Sequence, residues 1–232
     1  MKVRKEKANK LLHMVGLEGK ADETDFMLWR LQHLGTDSGN KKRFPWGIRW
    51  TSLLQEKLRE ESIRILEEGL CGRTTVFEDS YRENRNGWKT LPAILETHSP
   101  VDSAIVMLGT NDCKSYYKAT AFQIAKGLEA CIEVLLKEIP ADRILVIAPM
   151  HLGNDVWKPE YDPEFDQTSV ETSKQLYAEY QKLAKRNGFH LIAASDVVKP
   201  SEIDQEHLNE EGHAILADAI FHSMYDFGII RA

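Results

Sequence analysis

Cysteine is scarce in this 232-residue chain: Cys71, Cys113 and Cys131 form an odd set with no CxxC spacing. That usage argues against a disulfide framework or a cysteine-bound zinc, and it fits a reducing cytoplasm. Positive charge is also in short supply. Lys and Arg number 30 against 36 Asp and Glu, a formal net charge of −6, whereas a nucleic-acid binder carries a basic excess or stripe. No run approaches the roughly 18 apolar residues of a membrane span. No repeat, linker or composition break interrupts the chain after residue 40. What remains is an ordinary globular composition, 42% hydrophobic and 28% charged, long enough to bury a substantial core in one domain.

The beginning departs from this balance. Lys2, Arg4, Lys5, Lys7, Lys10 and Lys20 face only Glu6 and Glu18 within the first 20 residues. A basic start leading into Leu11-Leu12 has the outline of a signal peptide, but the apolar stretch is too short, so export is not expected. The plain expectation is a disordered tail.

From about residue 50 helical and strand patterns alternate. Thr51–Glu60 has helical spacing, and Ser62–Leu66 (SIRIL) reads as a short strand ending at Gly69 and Gly72. Trp88–Thr97 reads as a helix that tolerates Pro92 only in its first turn. Ser103–Leu108 (SAIVML) and Arg143–Ala148 (RILVIA) are unbroken apolar runs, the pattern of parallel strands buried on both faces. Ala119–Ile139 predicts a long amphipathic helix, Ser169–Asn187 another closed by Gly188, Phe189–Ala193 a strand, and Leu208–Phe227 the last helix. Between them, Met150–Gln167 is a long loop rich in Pro, Asp, Trp and Tyr, a place for selectivity or subunit contacts. Strands alternating with helices of this length predict one α/β domain with a parallel sheet covered on both faces.

In such sheets ligands sit beyond the carboxyl ends of the strands. SAIVML runs into Gly109-Thr110-Asn111-Asp112, where an amide side chain can donate to a developing oxyanion; a plain Gly-Asn-Asp turn is the alternative. Asp204 stands three residues before His207 in DQEHLNEEGH. A carboxylate so placed can orient an imidazole and leave its other nitrogen to act as a base. The alternative is a helix start whose acids favour the macrodipole, with His207 merely exposed. Gly72, after SIRIL, can offer a backbone N–H to an oxyanion, or be a turn glycine. His213 reads as a helix-surface or packing residue and not a metal ligand. His151 follows RILVIAP as a lone loop histidine, and Cys71 and Cys113 read as small buried packing residues. Trp46, Trp88 and Trp157 suit either an aromatic cleft or core and interface positions.

The order and strand-end placement of these stretches resemble the SGNH (GDSL-type) serine hydrolases. EEGLCGRTT is similar to the family's second block, IVMLGTNDCK to the third and DQEHLNEEGH to the fifth, while RFPWGIRWTSLLQEKL (Arg43–Leu58) resembles the arylesterase/acyltransferase-like branch. The resemblance covers roughly residues 35–228. It implies a three-layer α/β/α sandwich with a flavodoxin-like sheet, and an acyl-enzyme route with no metal or organic cofactor. Asp204 and His207 would be the triad's acid and base, and Gly72 and Asn111 the oxyanion hole. A small-molecule ester is the expected partner, with neither nucleic acid nor membrane, and the branch often forms homo-oligomers.

The family's first block, a strand ending in Gly-Asp-Ser with the serine as nucleophile, is missing ahead of RFPWGIRW. The chain there reads FMLWRLQHLGTDSGN, with no strand-like run. Asp37-Ser38 is the nearest Asp-Ser pair, but no glycine precedes it. Ser38 matches the variable loop after the block better than the nucleophile, and a serine without positioned partners is a weak one. Reading the codons one nucleotide later offers another account. Met27-Leu28 then forces Cys and Trp29-Arg30 forces Gly; the other junctions through Gly35 permit Phe, Asp, Ser, Asn, Thr and Trp in turn. Upstream, Asp22-Glu23 permits Met, Glu23-Thr24 Lys, Asp25-Phe26 Ile and Phe26-Met27 Leu. The shifted frame is compatible with M-K-x-I-L-C-F-G-D-S-N-T-W-G: a start, a buried strand and the absent block. On this reading residues 1–34 are an aberrant segment, frame-shifted and partly upstream of the authentic start, and residues 35–232 are the hydrolase-like domain. A divergent N-terminus that happens to be compatible is the alternative.

The activity expected is ester hydrolysis on small acyl esters, impaired in this chain by the missing block. A non-catalytic relative that holds an acylated ligand or a protein partner is the competing class. A flavodoxin-like nucleotide binder is a distant third, because the first strand-to-helix turn has no Gly-rich phosphate loop. Sequencing the gene across the codons of residues 20–40 is expected to spell Gly-Asp-Ser in the next frame; codons that do not spell it end the frame-shift account.

Overall fold

Five short stretches pair side by side in parallel. The computed structural model describes residues 42–230 and, as backbone, residues 24–30. The strands are β1 (Thr24–Arg30), β2 (Ile63–Glu67), β3 (Ser103–Met107), β4 (Ile144–Ala148) and β5 (His190–Ala193), in the order β2-β1-β3-β4-β5. The principal helices are α1 (Trp50–Lys57), α2 (Gly87–His98), α3 (Ala121–Leu135), α4 (Gln167–Asn187) and α5 (Glu210–Asp226). Among the described residues no helix is long and apolar enough to cross a membrane.

The period-two alternation of a strand divides the core into two layers. Ala104 and Val106 of β3, with Ile144 and Val146 of β4, face Leu91, Ile124, Leu128, Leu176 and Tyr180 of α2, α3 and α4. Ile105, Met107, Leu145 and Ile147 face Trp50 and Leu54 of α1 and Leu216, Ile220 and Met224 of α5. Every residue of β3 and β4 is buried, as the unbroken apolar runs require. The expected three-layer α/β/α arrangement is therefore the fold.

Helix boundaries follow their caps. Thr120 and Gln123 make a reciprocal capping box at the start of α3, and Asp166 with Ser169 makes one at α4. Gly188 ends α4 at φ 80°, the left-handed position that favours glycine. Two boundaries differ from expectation. Asn86 caps α2 by accepting from the Lys89 amide, which starts the helix at Gly87 and leaves Pro92 in the second turn. Asn209 accepts from the Gly212 amide at 2.8 Å, so α5 begins at Glu210 and the Asp204–His207 stretch stays outside it as a loop.

The largest difference lies upstream. The sequence shows no strand before Ser62, yet β1 occupies the sheet's interior. Leu28 pairs with Glu67 of β2 on one side, and Arg30 pairs with Met107 of β3 on the other. The run Phe26-Met27-Leu28-Trp29 is short enough to be ambiguous by periodicity alone; what makes it a strand is the pair of open edges on either side. A proline inside such a strand removes a ladder hydrogen bond. Leu28→Pro is expected to lower the urea midpoint sharply or abolish cooperative unfolding by circular dichroism; an unchanged midpoint would contradict this placement.

Candidate active site

The strand order reverses between β1 and β3: from β1 the chain goes on to β2 on one side, and from β3 to β4 on the other, leaving a crevice outside the carboxyl ends of these two strands. That crevice is where open parallel sheets bind ligands, and the loops carrying Gly72 and Asn111 flank it.

Gly72 has φ +77°, and a Cβ there would lie 2.7 Å from the Arg82 guanidinium carbon. Arg82 is held in place by Asp79, with Nε to Oδ2 at 2.8 Å and Nη2 to Oδ2 at 2.6 Å. Arg85 Nε donates to the Cys71 carbonyl at 2.8 Å. Gly109 is equally obligatory: at φ +127°, its Cβ would meet the Tyr180 hydroxyl at 2.4 Å, and that hydroxyl donates to the Leu108 carbonyl at 2.9 Å.

The two loops are joined beneath the crevice. Asp112, fully buried, accepts from the Thr75 amide at 2.9 Å and from the Thr75 hydroxyl at 2.5 Å. Burial pushes its carboxyl up to about 6, with the Thr75 bonds pulling the other way. Asp112 Oδ2 has no hydrogen-bond partner among the described residues.

The third element lies on the loop before α5. His207 is 8% exposed, and its Nδ1 is 2.7 Å from Asp204 Oδ2. Asp204 Oδ1 accepts from the amides of Glu206 at 3.1 Å and His207 at 2.9 Å. Burial works against the Asp204 carboxylate, but the bonds from the His207 ring and from both amides outweigh it and hold its pKa below the ordinary value. With one ring nitrogen fixed by a carboxylate, the other is equipped to move a proton. The picture of a merely exposed histidine at a helix start does not hold.

Further contacts tie this loop to the rest. Gly153 donates its amide to the Gln205 carbonyl at 2.7 Å, linking the Met150–Gln167 loop to the Asp204–His207 loop. Ser115 donates to the Glu164 carbonyl through its amide at 2.8 Å and its hydroxyl at 2.9 Å. Lys114, next to the Asn111 turn and 4% exposed in its side chain, pairs with the Glu164 carboxylate. Four loops are thus tied together at the carboxyl edge of the sheet.

Other expected residues fall elsewhere. Ser38 lies outside the described residues. His213 is a buried packing residue, accepting from the Trp50 amide through Nδ1 at 3.3 Å with the Phe44 ring edge-on. His151 faces Lys174 and Asp196, and burial lowers its pKa. Cys113 is buried as expected, but Cys71 is only half-buried, because the Gly72 loop is covered by arginine side chains and not by apolar packing. Trp157 packs at the edge of the core, while Trp46 and Trp88 are exposed. Asp112, Lys114 and Glu206 carry no pattern of their own, although all three stand inside the IVMLGTNDCK and DQEHLNEEGH stretches.

The fold and this arrangement define a hydrolase of the SGNH type. The chain matches the GDSL-like lipase/acylhydrolase family over residues 35–215, and it belongs to that family, whose members are carboxylic-ester hydrolases. Among solved structures it is similar to Est24, a carbohydrate acetylesterase from Sinorhizobium meliloti, with 32% identity, 87% of this chain and 98% of that one covered, and a TM-score of 0.77. A second carbohydrate acetylesterase family member from the same organism has 27% identity over 88% and 98% of the two chains, TM-score 0.78. The aryl esterase of M. smegmatis has 26% identity over 88% and 99%, TM-score 0.77. No curated protein matches the chain.

Asp112 makes a testable contribution to stability. Its folded pKa of about 6 exceeds the ordinary 3.8, so the native state binds the proton more tightly than the unfolded one. The group therefore costs stability progressively as pH rises from about 4 to 6, by up to roughly 3 kcal/mol. Asp112→Asn removes this dependence. Urea unfolding at pH 4 and pH 7 is expected to show the variant gaining on the parent by that order at the higher pH; an identical difference at both pH values would refute it.

Proposed function

We propose that this site hydrolyses small acyl esters through an acyl-enzyme, and that its nucleophile is the serine of a Gly-Asp-Ser encoded in the next reading frame at the end of β1. The observation that carries the reading is the 2.7 Å bond between Asp204 and His207 Nδ1, on a loop tied to those of Gly72 and Asn111. The serine hydroxyl attacks the acyl carbon while His207 Nε2 takes its proton, and Asp204 keeps the ring oriented. Asn111 and the Gly72 N–H donate to the oxyanion. His207 then returns the proton to the leaving alcohol, and water repeats the sequence to free the acid.

Two features support the position of the nucleophile. β1 ends at Arg30 between the strands that feed the Gly72 and Asn111 loops, and the shifted junctions from Trp29-Arg30 to Leu31-Gln32 force Gly and permit Asp and Ser at that point. The family match also begins at residue 35, where the frame would be restored. Three free cysteines support a cytoplasmic setting. The RFPWGIRW resemblance, with Trp46 60% exposed, supports a homo-oligomer.

The chain in hand and a version carrying the restored block are compared on p-nitrophenyl acetate. The restored protein is expected to turn over at least about 100-fold faster, since a nucleophile's contribution is of that order or more. Equal, robust activity would overturn the frame-shift account and return Ser38 to candidacy. A fluorophosphonate probe that labels neither protein would instead favour the binding-module reading.

A further inference from the structure

Glu206 has no part in the mechanism above, yet it is placed on the working face of the histidine. Its side chain is 8% exposed, and its Oε1 lies 3.8 Å from His207 Nε2, the ring nitrogen opposite the one bonded to Asp204. The imidazole therefore has a carboxylate on each side. A buried carboxylate is costly unless positive charge faces it. Among the described residues, the charged and titratable groups around Glu206 include Lys114 from the Asn111 loop, Asp162 from the Met150–Gln167 loop, Cys71 from the Gly72 loop, and Asp204 and His207 on its own loop. Lys114 and His207 are the cations among them, and Lys114 is already engaged by Glu164. Burial raises the Glu206 carboxyl, His207 and Lys114 pull it down, and Asp162 and Asp204 push it up. At 3.8 Å from Nε2, this carboxylate favours a charged His207.

We propose that Glu206 is a positioning residue for His207: it holds the ring from the Nε2 side in the resting site and stabilises the imidazolium, so that the base is released only at higher pH. The sign follows from reciprocity. A carboxylate that gains from a nearby imidazolium raises the pH at which that ring loses its proton, by about one unit or more at this separation. Lys114 and Glu164 set how much of the Glu206 charge the ring feels, which couples the Met150–Gln167 loop to the base. The catalytic meaning rests on His207 being the base, but the electrostatic coupling does not.

The experiment follows His207 ring signals by NMR against pH in the full chain and in Glu206→Gln, which needs no turnover. The His207 midpoint is expected to fall by about one pH unit in the variant. In the unmutated protein, the Glu206 carboxyl carbon is expected to shift with the same midpoint, as coupled groups do. A His207 midpoint unchanged in folded Glu206→Gln overturns the proposal. So does a Glu206 carbon that stays silent through the His207 titration, a readout that stands even where the variant does not fold. Esterase assays on the protein carrying the restored block keep the two readings apart: absent turnover there, with the coupling intact in the chain, counts against the hydrolase mechanism alone.

Discussion

A buried carboxylate holds the two sides of the crevice together. Asp112 follows Asn111 by one residue, and Thr75 follows Gly72 by three; the bonds from the Thr75 amide and hydroxyl to Asp112 therefore set the separation of the Gly72 and Asn111 loops. Removing such a carboxyl from water is unfavourable, and only bonds of good geometry offset it. The return is rigidity: neither loop moves without breaking a hydrogen bond in a site where water does not replace it. Tyr180, whose hydroxyl caps the Leu108 carbonyl beside Gly109, makes the same demand from the α4 side.

From that bond the rest of the edge is assembled by short links. Lys114 and Ser115 anchor the Met150–Gln167 loop through Glu164, and Gly153 passes the connection to Gln205. The loop that carries Asp204 and His207 is thereby held from outside as well as by its own hydrogen bonds. Below it, the sheet supplies a stiff base, because β3 and β4 are buried on both faces and pack against helices on each.

The parts legible in sequence are those whose physics is local. SAIVML and RILVIA announce buried parallel strands because every side chain meets an apolar layer. Asp204 and His207 are three residues apart, so their contact follows from one tight loop. Asp112 and Thr75 are 37 residues apart and Lys114 and Glu164 are 50 apart; nothing local marks them as partners. β1 is not legible in the sequence because four apolar residues among charged neighbours carry no decisive period, and its strand character comes from the edges of β2 and β3. Cys71 is less buried than its small size leads one to expect, since Arg82 and Arg85 cover that loop with polar groups.

The amino-acid order by itself determined the α/β alternation, the buried strands, the caps and the motifs at the strand ends, because each depends on residues a few positions apart. Only the tertiary structure decided that residues 24–30 complete the sheet, that Asp112 bridges the Gly72 and Asn111 loops, and that Glu206 stands against the far side of His207. Those are matters of which distant groups are forced together once apolar faces are buried, and burial is what turns an ordinary carboxylate into one that must find a partner.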